Sequence, residues 1–307
     1  RDLHLSMRRQ RQMCIRDRCT KVNQPAAGLE PAAPGIGFCE SRRRHTMTPA
    51  EIEQAAQLLK KARLEKSVIA HIPAGIRPRN LDEAYAVQDR LAEILGLETA
   101  GWFCACTNRK IQQMLKLEEP YYARLFKTVL FAEPAVLKAS DYPPMVIECE
   151  FGFTLARDLP CRATPYERPE VEAAVQAVHP TIEVVAGHLE NWPAQEVWSV
   201  IADNGTDGAL VYGAGTRCWR DLDLVRVPVS LLVNGRCVRK GSGANVLGDP
   251  LQALVWLANA RSRNGDGLKA GQMHNTGTAT EIYWITPGDE LVAEFAGLGT
   301  VALQVIE

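Results

Sequence analysis

Apolar residues recur at helical spacing from Thr48 to about Lys66, where Ile52, Ala55, Ala56, Leu58, Leu59 and Ala62 alternate with charged positions and predict an amphipathic helix. Thr48-Pro49-Ala50-Glu51 supplies its start: a hydroxyl N-cap, a proline in the first turn and a glutamate that completes a capping box. A second helix is predicted over Leu81 to Leu95. There Ala84, Ala86, Val87, Leu91, Ile94 and Leu95 form the packing face, and Asp82, Glu83, Asp89 and Arg90 the solvated one. A short third helix, Ile111 to Leu117, ends before Pro120.

Beyond about residue 128 the pattern changes to short strand-like runs divided by turns: Thr128 to Phe131, Val146 to Leu155, Thr181 to Ala186, Leu210 to Gly213, Val225 to Val233, and Leu291 to Phe295. Asn234-Gly235 between Val229–Val233 and Arg236-Cys237-Val238 signals a type I′ hairpin, since both turn residues tolerate positive φ. One helix interrupts the strands, Pro250 to about Arg263, capped by Asp249 before it and Gly265 after it. There is no internal repeat. The prediction is an α+β fold in which residues 47–307 form one domain, with a helical portion (47–125) packed on a β-rich core (126–307).

Three acids break the apolar pattern. Glu148 and Glu150 lie in the run Val146-Ile147-Glu148-Cys149-Glu150-Phe151-Gly152-Phe153, and Glu183 lies in Thr181-Ile182-Glu183-Val184-Val185. In a strand, side chains two apart share a face, so the first two carboxylates would stand about 7 Å apart at the backbone. Their face also carries Val146 and Gly152, which is not a solvated pattern. A buried carboxylate needs a cation, a proton or several donors, and a divalent cation bound by oxygen ligands answers that need. Hard ligands select Mg2+, Mn2+ or Ca2+ over zinc. The alternative for Glu183 is an ion pair with an arginine such as Arg157.

Composition narrows the class. Of 35 Lys and Arg and 36 Asp and Glu, ten basic and four acidic residues fall within positions 1–46, which leaves the body at about −7. An acidic body argues against a nucleic-acid enzyme. No run approaches the roughly 20 apolar residues of a membrane helix, and no secretory signal is present, so a cytoplasmic protein is expected. The nine cysteines have no repeating spacing and are expected to be reduced; Cys104-Ala105-Cys106 lacks a second ligand pair for zinc. Residues 1–46 have no periodic apolar pattern and include Pro25, Pro31 and Pro34. Met13-Cys14-Ile15-Arg16-Asp17-Arg18 resembles translated sequencing-adapter read-through, so the leader is expected to lie outside the fold as a translation artefact, with Met47 as the start.

Six segments in order carry a resemblance. These are Ile147-Glu148-Cys149-Glu150-Phe151, Arg157-Asp158-Leu159-Pro160, Pro180-Thr181-Ile182-Glu183-Val184-Val185, Ala202-Asp203-Asn204, Val246-Leu247-Gly248-Asp249-Pro250-Leu251 and Trp256-Leu257-Ala258-Asn259. Together they resemble the 2-keto-4-pentenoate hydratases of the fumarylacetoacetate hydrolase superfamily, from about residue 50 to the C-terminus. The resemblance implies a mixed β-roll, Glu148, Glu150 and Glu183 as ligands of Mg2+ or Mn2+, a small 2-oxo-acid substrate and a homo-oligomer. It implies a hydratase that adds water to a 2-hydroxyalka-2,4-dienoate to give a 4-hydroxy-2-oxo acid, as in aromatic catabolism. Rivals are a 2-oxo-acid decarboxylase or C–C bond hydrolase of the same superfamily, and a catalytically weak metal-binding paralogue.

The chain departs from that family at informative places. Where members read Gly-aromatic-Lys-Val-Gly, it has Gly101-Trp102-Phe103-Cys104-Ala105, so the lysine position is Phe103. Tyr121 stands at the place of an aspartate, and Thr206 at that of a serine. Phenylalanine moves no proton, so another group is required; the candidates are Tyr121, His274, Thr206, Lys110 and Asp203. Phe103, Asp203, Thr276 and Gly277 are expected to bind substrate, the last two in a glycine loop whose backbone N–H groups would meet a carboxylate. His179 and His188 are expected to be structural or exposed.

Overall fold

The structure, a computed structural model, describes residues 46–307; the expectation for the leader therefore falls outside the described residues, Thr46 excepted. The helices are α1 (Pro49–Leu64), α2 (Leu81–Leu95), α3 (Arg109–Leu115), α4 (Arg168–Ala174), α5 (Val197–Ala202) and α6 (Pro250–Arg263). The strands through the middle of the chain are β1 (Thr99–Ala105), β2 (Tyr121–Phe126), β3 (Leu130–Ala132), β4 (Ala135–Lys138), β5 (Val146–Leu155), β6 (Val175–Val185) and β7 (Asp207–Tyr212). They are followed by β8 (Pro228–Val233), β9 (Arg236–Ser242), β10 (Met273–Thr278), β11 (Tyr283–Trp284), β12 (Glu290–Phe295) and β13 (Gly299–Ile306). This is the predicted α+β class.

Local chemistry explains the boundaries that were foreseen. The Thr48 hydroxyl accepts from Glu51 N and the Glu51 carboxylate accepts from Thr48 N, so the capping box forms. Asp249 caps α6 by accepting from Leu251 N. Asn234 and Gly235 both adopt positive φ in the β8–β9 turn, as a type I′ hairpin requires.

One sheet has the order β2-β1-β10-β5-β6-β7-β3, with β11 paired to β5; a second has the order β4-β13-β12-β8-β9. The main core lies between one face of the large sheet (Trp102, Cys104, Ile147, Cys149, Phe151, Phe153, Ile182, Val184), the inner face of the second sheet (Leu231, Leu291, Phe295, Val301, Leu303, Val305), and α6. Fully burying each such side chain is worth about 1.5–3 kcal/mol, which commits β5 and β6 to a single register. Every odd residue of β5 from Ile147 to Phe153 is thereby spent on the core. Its even residues Glu148, Glu150 and Gly152 must point the other way.

Two expectations need correction. The portion 47–125 is not all helical, because β1 and β2 lie within it and β1 pairs with both β2 and β10 near the carboxylate strands. Thr276 and Gly277, expected in a glycine loop, lie instead within strand β10. Its polar side chains are tolerated there because neighbouring strands supply their hydrogen bonds, information that lies outside the segment itself.

Candidate metal centre

Antiparallel pairing sets Glu148 of β5 directly opposite Glu183 of β6, with Glu150 next along the same face. One oxygen from each of the three carboxylates lies within 4.8 Å of the others. Glu150 and Glu183 are buried, while Glu148 is half-buried and forms the open side of the cluster. Arg157 does not reach Glu183; its guanidinium donates to Glu170 O at 3.4 Å.

Among the described residues, the donors to this cluster are neutral. Asn275 Nδ2 donates to Glu150 Oε2 at 2.6 Å and to Glu183 Oε2 at 3.1 Å, and Gly277 N donates to the same Glu150 oxygen at 2.9 Å. Glu150 Oε1 and Asn275 Oδ1 are buried without a hydrogen-bond partner. Burial, then the neighbouring carboxylates, push all three glutamates above the ordinary carboxylate range. Glu150 is raised by burial and Glu183, Glu148 by burial and Glu150, and Glu183 to about 8 by burial and Glu148. Two buried acids and one half-buried one, with two neutral donors and an orphaned oxygen, are short of positive charge among the described residues. The donor set fits a hard divalent cation.

A pH dependence follows. A carboxylate whose folded pKa exceeds its unfolded value near 4.5 favours folding at low pH, and that contribution is lost as pH rises towards the folded pKa. The thermal midpoint of metal-free protein should therefore fall between about pH 4.5 and 8, and millimolar Mg2+ should restore it most at the upper end. A midpoint in EDTA that rises over this interval would contradict the assignment.

Around the cluster, the predicted residues divide. Phe103 is fully buried and lies beside Asn275 in register, with Ala123 on its other side. Its ring packs on Gly205, where an added Cβ would lie 3.0 Å from Phe103 Cζ. An apolar ring thus occupies the position where the resemblance implies a lysine, and Asn275 provides the nearby donor. Tyr121 faces the same side of the sheet, opposite Ala105, and burial followed by Cys106, Glu148 and Glu183 raises its pKa.

Other expected groups face away from the carboxylates or are already hydrogen-bonded within the fold. His274 pairs with Trp102 and Phe153, so alternation places it on the core face, away from the carboxylates. Burial lowers its pKa to about 3, so it is a neutral imidazole near pH 7. The Thr206 hydroxyl donates to Gly205 O, within a turn where Asn204, Gly205 and Thr206 all have positive φ. The Thr276 hydroxyl donates to Phe151 O at 3.0 Å. Gly277 N–H serves Glu150 rather than a substrate carboxylate; the glycine is needed because its φ is +89° and a Cβ would approach Thr107 Oγ1 to 2.1 Å. Lys110 lies in α3, and its side chain is outside the described set.

Asp203 belongs to a buried ion network rather than a binding surface. Arg63 Nη2 donates to Asp207 Oδ1 at 2.6 Å, Asp203 Oδ1 at 3.1 Å and Asp203 O at 2.7 Å. His188 N donates to Asp203 Oδ2 at 2.8 Å, which makes His188 structural. His179 is structural too, with Nδ1 2.9 Å from Gly213 O and Nε2 3.2 Å from Thr154 Oγ1. Burial raises Asp203 less than Arg63 and His188 lower it, so its pKa is net depressed; at Asp207 burial prevails and the pKa is raised. Asn275, Arg63 and Asp207 were not foreseen. Asn275 had one visible signal, a carboxamide flanked by His274 and Thr276 in an unusually polar stretch. The pairing of Arg63 with Asp207, 144 residues away, had none.

Comparison with known proteins places this geometry. The fumarylacetoacetate (FAA) hydrolase C-terminal family model matches residues 104–306. A 2-keto-4-pentenoate hydratase of Paraburkholderia xenovorans is 34% identical over 261 residues, 84% of this chain and 96% of that protein. A 2-hydroxyhexa-2,4-dienoate hydratase of Comamonas testosteroni is 27% identical, over 83% of this chain and 98% of that protein. Among solved structures, a 4-oxalocrotonate decarboxylase from Pseudomonas putida complexed with magnesium and adipate superposes with a TM-score of 0.79 at 27% identity, covering 85% of this chain and all of that one. Matched over most of its length in both sequence and fold, with Glu148, Glu150 and Glu183 inside the matched region, the chain belongs to the fumarylacetoacetate hydrolase family.

Proposed function

We propose that this protein is a divalent-metal-dependent hydro-lyase that adds water to a 2-hydroxyalka-2,4-dienoate and forms a 4-hydroxy-2-oxo acid. The observation that carries this is the cluster of Glu148, Glu150 and Glu183, whose ligand oxygens lie within 4.8 Å of one another and are short of positive charge. Hydratases among its relatives support the reaction type. Bound at these carboxylates, Mg2+ or Mn2+ supplies Lewis-acid polarisation to the carboxylate and 2-oxo oxygens of a small acid.

The chain's own residues orient and enclose. Asn275 and Gly277 hold the Glu150 carboxylate, and Asn275 also holds Glu183, so the ligand oxygens need little reorganisation. Phe103 closes the sheet side of the site and excludes water. Tyr121 keeps its proton because burial raises its pKa, so it acts as a hydrogen-bond donor that positions the enol or the incoming water, not as a base.

The test is turnover of freshly generated 2-hydroxypenta-2,4-dienoate with Mg2+ or Mn2+ and with EDTA. Metal-dependent hydration is expected. Tyr121→Phe should lower kcat by about tenfold, the worth of one hydrogen bond, and leave metal affinity intact. Absence of metal-dependent turnover would favour the weak metal-binding paralogue that Phe103 suggests.

A decarboxylase reading is favoured by the similarity to the 4-oxalocrotonate decarboxylase structure. The same assay separates the two, because release of carbon dioxide from an unsaturated 2-oxo diacid without hydration would select decarboxylation.

A further inference from the structure

Strand β1 leaves the sheet through a strained turn. Cys106, the residue after Ala105, takes a left-handed φ of +57°, and Leu247, which meets this turn from the segment before α6, takes +49°. Neither residue type favours that region, so the surrounding contacts must hold it. Gln112 Nε2 of α3 donates to Cys106 O at 2.7 Å, and Leu247 N donates to Thr107 O at 2.9 Å. The turn brings Thr107 back over β10. A Cβ built on Gly277 would lie 2.1 Å from Thr107 Oγ1, so the threonine fills the space that a side chain at 277 would take. Gly277 is the residue whose N–H donates to Glu150 Oε2 at 2.9 Å, and it stands two places beyond Asn275 on the same strand. The turn also lies in the field of Glu148, since burial, then that carboxylate, push the Cys106 thiol up to about 12. Thr107 thus stands beside the cluster, next to a residue that senses its open side.

Its hydroxyl also differs from its neighbours. Those of Thr181, Thr206, Thr276 and Thr278 donate to the main-chain oxygens of Glu150, Gly205, Phe151 and Thr280. The Thr280 hydroxyl is turned to Cys149, on the core face of the sheet. Thr107 is 2% exposed, and among the described residues its hydroxyl makes no hydrogen bond. A hydroxyl buried in this way is costly, and the cost falls away when a ligand oxygen accepts from it. The ring of Phe103 offers no donor to the carboxylate of a 2-oxo acid, so a free hydroxyl at this place has a task.

We infer that Thr107 is a substrate-binding residue, whose hydroxyl donates to a carboxylate oxygen of the 2-oxo acid held at the cluster. The inference rests on the metal-dependent 2-oxo-acid reading above, and the experiment is chosen to separate the two. Mg2+ is titrated by calorimetry into the parent chain, Thr107→Val and Thr107→Ser, and oxalate is then titrated into each at saturating Mg2+; neither step needs turnover. Mg2+ affinity should be the same in all three. Oxalate should bind Thr107→Val about ten- to a hundredfold more weakly, the worth of one hydrogen bond to a charged group, and Thr107→Ser should restore parent binding. With 2-hydroxypenta-2,4-dienoate the loss should appear in KM more than in kcat. Should Thr107→Val not fold, judged by its thermal melt, Thr107→Ala compared with Thr107→Ser isolates the hydroxyl in its place. Parent-like oxalate binding in the variant that lacks the hydroxyl, or equal weakening in the serine variant, overturns the inference. So does a loss confined to Mg2+ affinity, which would make Thr107 a packing support for Gly277 and Glu150. If the parent chain binds no Mg2+, or binds oxalate equally well without it, the metal-dependent reading falls and the role of Thr107 with it.

Discussion

Glu150→Gln should abolish metal-dependent turnover, by about a thousandfold or more, and yet raise the thermal midpoint of the metal-free protein. The first effect follows from losing one of three ligand charges, where metal-borne electrostatic stabilisation is worth several kcal/mol. The second follows from burial. Glu150 is fully buried beside Glu183; burial and then Glu183 push Glu150 above the ordinary carboxylate range, and burial and then Glu148 do the same for Glu183. A neutral carboxamide of the same shape still accepts from Asn275 and Gly277 but removes the repulsion. Calorimetric titration with Mg2+ and a thermal melt in EDTA measure the two effects. A metal affinity equal to that of the parent chain, or a lower midpoint in EDTA, would remove Glu150 from the ligand set. This opposition of stability and function distinguishes a metal centre from a structural acid, for which both quantities fall together.

Arg63→Met should cost about 3–5 kcal/mol of folding stability, because it strands two buried carboxylates. Arg63 is the ion-pair partner of both Asp203 and Asp207, whose side chains are respectively 0% and 3% exposed. For a domain of this size the midpoint should drop by roughly 10 °C. The loss should shrink towards low pH, where Asp207, already raised by burial, takes up a proton in place of its lost partner. Adding Asp203→Asn and Asp207→Asn should recover much of the loss. A change under about 1 kcal/mol in Arg63→Met, read by chemical denaturation, would show that water reaches the network. The network joins the last turn of α1 to the segment entering β7, the strand paired with β6 of the metal centre. Its loss should therefore also loosen Glu183, visible as weaker Mg2+ binding.

Phe103 illustrates how a substitution read in one dimension changes meaning in three. In the chain it marks only the absence of a lysine. In the sheet it lies beside Asn275, whose carboxamide nitrogen donates to the two buried carboxylates, so donation at this spot comes from a neutral group on the adjacent strand. A neutral donor neither competes for protons nor offsets the negative charge of the acids. Such a carboxylate cluster needs a cation more than one with an ammonium beside it would.

Local pattern determined a good deal by itself. The capping box at Thr48, the Asn234-Gly235 hairpin, the caps of α6 and the alternation through Val146–Leu155 depend on residues within a few positions of one another, and the sequence carries that information in full. The carboxylate trio was legible for the same reason, since acids in apolar strands demand a partner wherever the strands lie. What escaped is what depends on pairing between distant segments. Strand β10 looked like a glycine loop because its polar side chains find their partners on β5 and β6. His274 looked like a proton carrier until β-sheet alternation placed it on the core face, one residue from the Asn275 that faces the acids. Asp203 looked like a binding group until an arginine 140 residues earlier claimed it. Spacing along the chain established which groups need neighbours; register and sheet order, set by burial summed over the whole core, decided which neighbours they have.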